Sequence, residues 1–191
     1  MGAESSLHNG VNFARRNTAG DGVPEATAFY IHARLHKMSP PVGAAFHSHM
    51  PNATALSMVE GEPLLWAGQT ALKFYGRVAV DENYHGLALD ESEGDRIASV
   101  LGDKAILFMK NHGVMVCAPN IAEAWDNLYY LERAAEVQLK AMSSGRKLLP
   151  VLPDVTAEAA RQMREGDPEC ARMHLQSIRR VLDRQTPGYR D

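Results

Sequence analysis

Three histidines have the side-chain chemistry and the spacing that could bind a metal ion. His47 and His49 are separated by one residue, and on a β-strand, whose side chains alternate between two faces, both imidazole rings project from the same face. His112 lies in a short connection far along the chain, which a β-sheet could bring beside the first pair. Three neutral imidazoles around one divalent ion leave a coordination position open for a substrate oxygen or water. Spacing alone leaves two alternatives open, since His-x-His pairs occur by chance and a histidine in a turn is commonly solvated.

The elements that must carry the histidine pair are short. Apolar residues at helical spacing predict a helix from Ala26 to Met38, which Pro40-Pro41 ends. The apolar run Val42 to His47 predicts a buried strand whose end carries the histidine pair. We expect a short helix over Ala53 to Val59 and, from Leu64 to Leu89, brief strands and turns.

The second half of the chain alternates the same two kinds of element. In chain order we predict a helix from Asp90 to Leu101, strands over Ala105 to Met109 and Val114 to Ala118, a helix from Ile121 to about Ser143, and two amphipathic segments over Thr156 to Arg164 and Pro168 to Leu182. The two strands are close enough to form a hairpin, with His112 at its turn. Because strands and helices alternate without segregating, the sequence predicts a layered α/β domain.

The composition is that of an ordinary globular protein and narrows the possible functions. The 191 residues are 45% hydrophobic and 23% charged, which is enough to bury a sizeable core. The chain contains neither a run of about 18 apolar residues nor an apolar signal segment at its start, so we expect no membrane association and a cytoplasmic location. A net charge of −3 with mixed signs offers no basic face for nucleic acid and favours a small-molecule partner. Cys117 and Cys170 are too few for a disulfide framework, and we assign neither thiol a catalytic role.

The chain divides into three expected segments. Residues 1–23 are polar and Gly-rich and form a lead-in that could be disordered. Residues 24–150 form the domain that carries the three histidines, and residues 151–191 form a C-terminal helical extension packed on the same domain.

Four segments resemble the class II aldolase and adducin family. In chain order they are Pro41 to Leu56, which contains the histidine pair, Phe74 to Ala79, Leu107 to Val114, and Asp126 to Glu132 in the long helix. The resemblance covers roughly residues 24 to 165 and keeps several motifs at compatible distances, which makes it specific. It is closest to the adducin-like branch of the family.

The resemblance implies a fold, a metal and an assembly. The fold is a three-layer α/β/α domain with a mixed, mainly antiparallel sheet. By match of motif, His47, His49 and His112 are the ligands of a divalent metal ion, usually zinc, with iron or manganese as alternatives. Family members commonly form cyclic tetramers with active sites near subunit interfaces, so we expect a homo-oligomer.

Two departures from the family pattern bear on catalysis. Members usually carry a further stretch of chain ahead of the region around Pro24, which supplies substrate-binding and phosphate-binding loops, so this chain looks N-terminally short and phosphorylated substrates are disfavoured. Sugar-phosphate aldolases place a catalytic glutamate four residues ahead of a helix histidine that matches His32, and here that position is Ala28. Glu25, one helical turn earlier, is our candidate for the catalytic carboxylate. The alternative is that Glu25 only stabilises the start of the helix.

These features favour one function and leave two others open. The first is a metal-dependent lyase of the aldolase or decarboxylase type, acting on a small hydroxy-carbonyl or hydroxy-acid compound through a metal-stabilised enediolate. The second is a catalytically silent, adducin-like binding or scaffold module that keeps the fold and the metal site, which Ala28 and the short front favour. The third is a metal-dependent oxygenase, which would require iron rather than zinc.

Other residues received structural interpretations. His32 and His36 are one helical turn apart and could form a second metal pair, but packing against the sheet is the simpler interpretation. Tyr75, Tyr84 and His85 are possible proton donors that no motif distinguishes. Trp125, Tyr129 and Tyr130 are expected in the core or an interface. His8 and His174 have no partner pattern in the sequence and are expected at the surface.

Overall fold

The structure, a computed structural model, describes residues 11–12, 17–18, 24–39 and 41–190. Most of the predicted lead-in over residues 1–23, including His8, lies outside the described residues, and the division into three segments stays a prediction. The strands are β1 (Val11–Asn12), β2 (Asn17–Thr18), β3 (Ala44–Ser48), β4 (Val78–Asp81), β5 (Ile106–Met109) and β6 (Gly113–Ala118). The helices are α1 (Ala26–Met38), α2 (Pro51–Ser57), α3 (Gln69–Leu72), α4 (Glu91–Leu101), α5 (Ile121–Met142), α6 (Pro153–Gln185) and a final 3₁₀ helix (Pro187–Arg190).

A mixed sheet of four strands forms the middle layer. Its strand order is β3-β6-β5-β4, while β1 and β2 pair separately with each other. Strand β6 is antiparallel to both β3 and β5, whereas β4 is parallel to β5. The parallel pair needs a crossover connection, which α4 provides. The sheet is therefore mixed and mainly antiparallel, as predicted.

Helices cover both faces of this sheet. Alternate residues of β5 and β6 point to opposite faces, so Phe108 and Val116 pack with α2, α3 and α5, while Leu107 and Met115 pack with α1 and α4. Burial on both faces explains why these two strands are continuous apolar runs. The predicted three-layer α/β/α fold is confirmed. None of the described helices is both long and apolar enough to cross a membrane.

Most predicted elements are present with small shifts at their ends. The helix Ala26–Met38 has the predicted bounds, and the hairpin of β5 and β6 forms around His112. Helix α2 begins at Pro51 rather than Ala53, because a proline in the first turn of a helix loses no hydrogen bond. The region from Leu64 to Leu89 contains one short helix, α3, and one strand, β4.

The two amphipathic segments predicted at the C-terminus are a single helix, so that prediction is wrong. Helix α6 runs through Pro168, which has no N–H to donate and normally interrupts a helix. Contacts on both sides of Pro168 hold the helix on the domain, since Ala160 before it and Ala171 after it are fully or almost fully buried. Tertiary packing therefore outweighs the local signal of the proline.

Buried ion pairs add to the docking of α6. Lys73 Nζ lies 2.5 Å from Asp167 Oδ1 and 3.2 Å from Asp126 Oδ2, and both Lys73 and Asp126 are buried. The expectation that His174 lies at the surface is wrong, because its side chain is half-buried and its Nδ1 lies 2.7 Å from the buried Asp126 Oδ1. Its ring also packs against the ring of Trp125, with centroids 4.4 Å apart. These partners are distant in sequence, so no local pattern indicates them.

A buried glutamate of α5 holds the start of α2, just after the histidine pair. Glu132 Oε1 accepts hydrogen bonds from the backbone N–H and the side-chain amide of Asn52, at 3.0 and 2.7 Å, and its Oε2 accepts one from the Ala53 N–H at 2.9 Å. The carboxylate thus satisfies free N–H groups in the first turn of a helix whose own N-cap residue, Met50, makes no side-chain cap.

We predict that Glu132→Gln lowers the free energy of unfolding by about 1–3 kcal/mol, because the amide cannot accept all three hydrogen bonds and loses the negative charge. Urea denaturation followed by circular dichroism measures this change. The matched control is Glu136→Gln, one turn further along α5, whose carboxylate forms exposed ion pairs with Arg133 and Lys140. We expect little change in the control, and equal effects of the two variants would contradict the role of Glu132 as a cap of α2.

Candidate metal centre

The register of β3 against β6 brings the three histidines together. His47 lies opposite Met115 and Ser48 lies opposite Val114, so the end of β3 lies beside the beginning of β6. His49 follows the last residue of β3, and His112 immediately precedes β6. The hairpin turn therefore delivers His112 to the pair, as the sequence analysis expects.

The geometry of the three rings fits one metal ion. Their centroids are 4.9 Å apart for His47 and His49, 4.8 Å for His47 and His112, and 4.9 Å for His49 and His112. One ligand nitrogen from each ring lies within 4.8 Å of the others. The Nε2 atoms of His47 and His49 are 3.2 Å apart, close to the roughly 3.3 Å between two tetrahedral nitrogen ligands that each lie about 2.0–2.1 Å from zinc.

The protein orients and neutralises the first of these ligands. His47 Nδ1 lies 3.1 Å from the carbonyl oxygen of Val114, where an Nδ1–H donates and leaves the Nε2 lone pair facing the cluster. Burial, together with the neighbouring His112 and His49, lowers the pKa of His47 to about 4, while the hydrogen bond to Val114 opposes this shift. Burial and the proximity of His49 also lower the pKa of His112. Both imidazoles are therefore neutral at neutral pH, which is the form that binds metals.

The turn that carries His112 is fixed by backbone and side-chain contacts. Asn111 has a φ of 58°, a left-handed conformation that asparagine tolerates better than most residues, and its N–H donates to the Ser57 carbonyl at 3.2 Å. The buried Lys110 donates through Nζ to the carbonyl oxygens of Val59 and Gly61, at 2.7 and 2.5 Å. The turn is thereby tied to α2 and to the loop that follows it.

Gly113 provides the space in which His49 lies. A Cβ atom at this position would lie 2.7 Å from His49 Cδ2 and 2.7 Å from the carbonyl oxygen of Ser48. Neither distance is compatible with a real side chain unless the histidine or the β3 backbone moves. A residue without a side chain is therefore part of the geometry that allows His49 to face its two partners.

The histidines line one side of an open cleft of about 490 Å³. The other walls come from the beginning of α1 and from the loop between β4 and α4. The lining residues are Glu25, Thr27, Ala28, Ile31, His47, Ser48, His49, Leu87, Ala88 and His112. The cleft therefore combines the candidate metal ligands with the candidate carboxylate.

Glu25 lies in this cleft and is also the N-cap of α1. Its Oε2 accepts hydrogen bonds from the Ala28 N–H at 2.8 Å and from the Thr27 hydroxyl at 2.5 Å. The hydrogen bond from Thr27 and those from the backbone lower the pKa of Glu25 to about 2. The carboxylate is therefore ionised at neutral pH and is a weak proton acceptor while it caps the helix. Its catalytic role stays a prediction.

The structure gives the other candidate residues different surroundings, and one of them lies near the histidine cluster. The ring of Tyr84 lies 5.9 Å from that of His112, so this tyrosine is near the cluster, whereas Tyr75 packs against Trp66 at 5.4 Å. His85 pairs with Glu93, at 3.5 Å. His36 Nδ1 lies 3.1 Å from the Val42 carbonyl. Within the described part of the chain, His47, His49 and His112 are the one group of three or more possible metal ligands.

Several positioning residues carried no assigned role in the sequence analysis. Lys110, Gly113 and Glu132 all lie inside the segments that resemble the family, but the residue types alone do not say what they contact. One signal was available, because a lysine and a glutamate beside apolar runs must find partners if they are buried. Their partners, the carbonyls after α2 and the N–H groups at its start, are distant in sequence.

The fold and the site together define an α/β domain with a histidine cluster suited to a divalent metal ion. Comparison with known proteins gives the family. The chain belongs to the family described as class II aldolase and adducin N-terminal domain, whose sequence profile matches residues 7–139.

Proteins with similar sequences carry several different functional names. The chain is 32% identical over 164 residues to a Caulobacter vibrioides protein assigned to aldolase class 2, covering 85% of this chain and 63% of that protein. It is 35% identical over 139 residues to the decarboxylase NovR of Streptomyces niveus, covering 70% of this chain and 47% of the relative. It is 31% identical over 130 residues to rat alpha-adducin, covering 68% of this chain and 17% of the relative. The chain thus spans less than two thirds of the length of these relatives.

Solved structures support the same fold. An aldolase II superfamily protein from Pseudomonas syringae superposes with a TM-score of 0.82 at 30% identity, covering 92% of this chain and 71% of that one. An L-fuculose 1-phosphate aldolase from Glaciozyma antarctica superposes with a TM-score of 0.79 at 26% identity, covering 95% and 70%. The histidine cluster is consistent with a divalent metal site of the kind typical of class II aldolases.

We predict that Gly113→Ala lowers the affinity for zinc at least about tenfold, because the new Cβ displaces His49 or the end of β3. Competition with a chromophoric chelator measures the affinity. The control is Gly166→Ala in α6, where a Cβ would make an ordinary contact of 4.0 Å with Cys170 Sγ and lies outside the cleft. Unchanged zinc affinity in the Gly113 variant would show that His49 is not held in this way.

Proposed function

We propose that the protein is a divalent-metal-dependent lyase of the aldolase or decarboxylase type, acting on a small hydroxy-carbonyl or hydroxy-acid substrate. The observation that carries the proposal is the convergence of His47, His49 and His112 at one side of an open cleft. Three imidazoles leave a coordination position for substrate, which distinguishes a catalytic arrangement from a closed structural site. We propose zinc as the ion, with iron or manganese as the alternatives.

The metal would supply Lewis acidity, which neutralises negative charge that develops on substrate oxygens when a carbon–carbon bond breaks. The protein supplies the geometry. His47 is held by Val114, and the turn bearing His112 is tied down by Lys110, so two of the three ligands cannot reorient freely. Relatives named as a decarboxylase and as an L-fuculose 1-phosphate aldolase support this class of reaction, because decarboxylation and aldol cleavage both break a carbon–carbon bond.

The proton must be moved by a group in or beside the cleft. Among the described residues we propose Glu25, which lines the cleft, with Tyr84 or a water molecule as the alternatives. Glu25 has to leave its cap to act as a base, because the hydrogen bonds from Ala28 and Thr27 hold its pKa at about 2. Release from these two donors would return its pKa towards the ordinary value and make it a better proton acceptor.

We predict that His112→Ala abolishes both stoichiometric zinc binding and turnover, because two histidines alone hold the ion weakly. Elemental analysis of protein purified without added metal measures the first effect and also identifies the native metal. The control is His36→Ala, since His36 contacts the Val42 carbonyl and lies outside the cleft. A His112→Ala protein that keeps one zinc ion per chain would refute the ligand assignment, and native iron would favour an oxygenase.

We predict that Glu25→Ser slows deuterium exchange into the methylene group of hydroxyacetone at least about a hundredfold, because the proton acceptor is lost. The thermal midpoint should stay near that of the wild type, since serine is a favourable N-cap. Glu25→Ala should lose both exchange and helix capping. NMR in D₂O with the zinc-loaded protein measures the exchange. Wild-type exchange in Glu25→Ser would restrict Glu25 to capping α1.

A second candidate function is a catalytically silent, adducin-like binding module. It is favoured by Ala28, which stands where sugar-phosphate aldolases have their glutamate, and by the similarity to rat alpha-adducin. Zinc-loaded protein that shows no exchange and no carbon–carbon cleavage, with the wild-type fold, would support this function over the first.

We further propose a cytoplasmic homo-tetramer that acts on a small molecule. The support is the assembly common in the family, together with a charge pattern that offers no basic face for nucleic acid. Size-exclusion chromatography with light scattering measures the mass of the assembly, and a monomer at micromolar concentration would exclude the tetramer.

A further inference from the structure

We infer that the cleft selects an oxygen-chelating hydroxy- or oxo-acid whose substituent is apolar and carries no phosphate, and that Leu87 contacts this substituent. The inference rests on the proposed function, because it assumes an ion held by the three histidines. It adds a substrate class and a residue that determines specificity. Three properties of the described cleft support it.

The charge of the cleft disfavours a phosphorylated ligand. Among the described residues that line it, Glu25 is the one acidic side chain, and none is a lysine or an arginine. A phosphate monoester carries about −1.5 to −2 charges at neutral pH and is normally bound by cationic side chains or free N–H groups. Here it would meet the carboxylate of Glu25, while the Ala28 N–H at the start of α1 already donates to that carboxylate. Among the described lining residues, no lysine or arginine would offset this repulsion, and the assumed metal ion would be occupied by the chelating oxygens.

Four apolar residues line the cleft together with the histidines. They are Ala28, Ile31, Leu87 and Ala88, with Ile31 and Ala88 buried beneath the surface. Leu87 is 68% exposed, so its side chain presents apolar surface at the rim of the cleft. An apolar substituent lying there removes this surface from water, which is favourable. A polyhydroxylated chain lying against these four side chains would instead lose hydrogen bonds to water, because none of the four side chains can replace them.

The loop that carries Leu87 is anchored at both ends. At its start, Asp81 binds Arg96 through two hydrogen bonds of 2.8 and 2.6 Å and accepts a third from the Asn83 N–H at 3.2 Å. At its end, Asp90 caps α4 by accepting a hydrogen bond from the Glu93 N–H at 3.0 Å. Both ends of the loop are therefore fixed, and Ala88, next to Leu87, is buried in the core. A preorganised loop can discriminate between substituents of different polarity.

The test compares three hydroxamates on the zinc-loaded protein by isothermal titration calorimetry. Acetohydroxamate, benzohydroxamate and phosphonoacetohydroxamate share the same chelating oxygens and differ in a methyl, a phenyl or a phosphonate-bearing substituent. We expect benzohydroxamate to bind at least about tenfold more tightly than each of the other two. Equal affinities for the methyl and phenyl compounds, or tightest binding of the phosphonate, would overturn the inference.

Two matched variants locate the selectivity. Leu87→Ser should weaken benzohydroxamate about fivefold and leave acetohydroxamate unchanged, because the apolar contact is lost and chelation is not. Leu89→Ser is the control, since Leu89 is on the same loop and 58% exposed but does not line the cleft. Both positions are exposed, so neither change should affect folding. Equal effects of the two variants would exclude Leu87 as the contact.

Zinc content separates this inference from the function on which it rests. Protein that binds one zinc ion but no hydroxamate, or binds all three alike, overturns the inference and leaves the metal site in place. Protein that takes up no zinc overturns the proposed function, and the inference with it.

Discussion

The antiparallel pairing of β3 with β6 is the constraint on which the site depends. His47 is directly opposite Met115, so both side chains lie on the face of the sheet that α1 and α4 cover. A slip of one residue would turn His47 towards α5 and away from α1, where Glu25 and Ile31 line the cleft. Burial of Met115 and Val116 on opposite faces fixes the register, and the hydrogen bond from His47 to Val114 adds to it. The packing of the core thus determines which way the first ligand points.

The site is supported from one side of the sheet and opens on the other. Glu132 on α5 fixes the start of α2 after His49, and Lys110 ties the turn of His112 to the loop after α2. Both are buried charged groups with backbone partners, so loss of either leaves buried polar atoms unsatisfied, which costs more than a surface ion pair contributes. The cleft itself lies on the α1 side. Because these supporting contacts lie on the α5 side of the sheet, they hold the candidate metal ligands in place. They put no constraint on the charge and polarity of the cleft walls on the α1 side.

Local pattern was sufficient for the parts of the fold that local interactions determine. The hairpin of β5 and β6 was predictable because two apolar runs flank a turn with Asn111 and Gly113, and α1 was predictable from its apolar spacing and the prolines after it. The parallel pairing of β4 with β5 was not, since it depends on a crossover through α4. The continuity of α6 across Pro168 and the contact of His174 with Asp126 also depend on distant partners.

In the site, the side-chain period of a strand predicted the histidine pair, whereas the roles of Gly113 and Leu87 follow from three-dimensional proximity alone.

The capping of α1 by Glu25 links the two candidate functions. In its cap, the carboxylate accepts from Ala28 and Thr27 and has a pKa of about 2, far from the value at which a proton acceptor is effective near neutral pH. If the carboxylate left the cap, those hydrogen bonds would be lost and the pKa of Glu25 would rise towards its ordinary value. The Ala28 N–H would then have to donate to water instead. Position 28 itself has no carboxylate, and none of the other described cleft residues has one. Under the proposed function, proton transfer would fall to Tyr84 or water while Glu25 caps the helix, and the cleft would gain a base if Glu25 left the cap. The proposed function therefore requires the Glu25 carboxylate to leave the cap, whereas the binding-module function is compatible with the capped position that the structure shows.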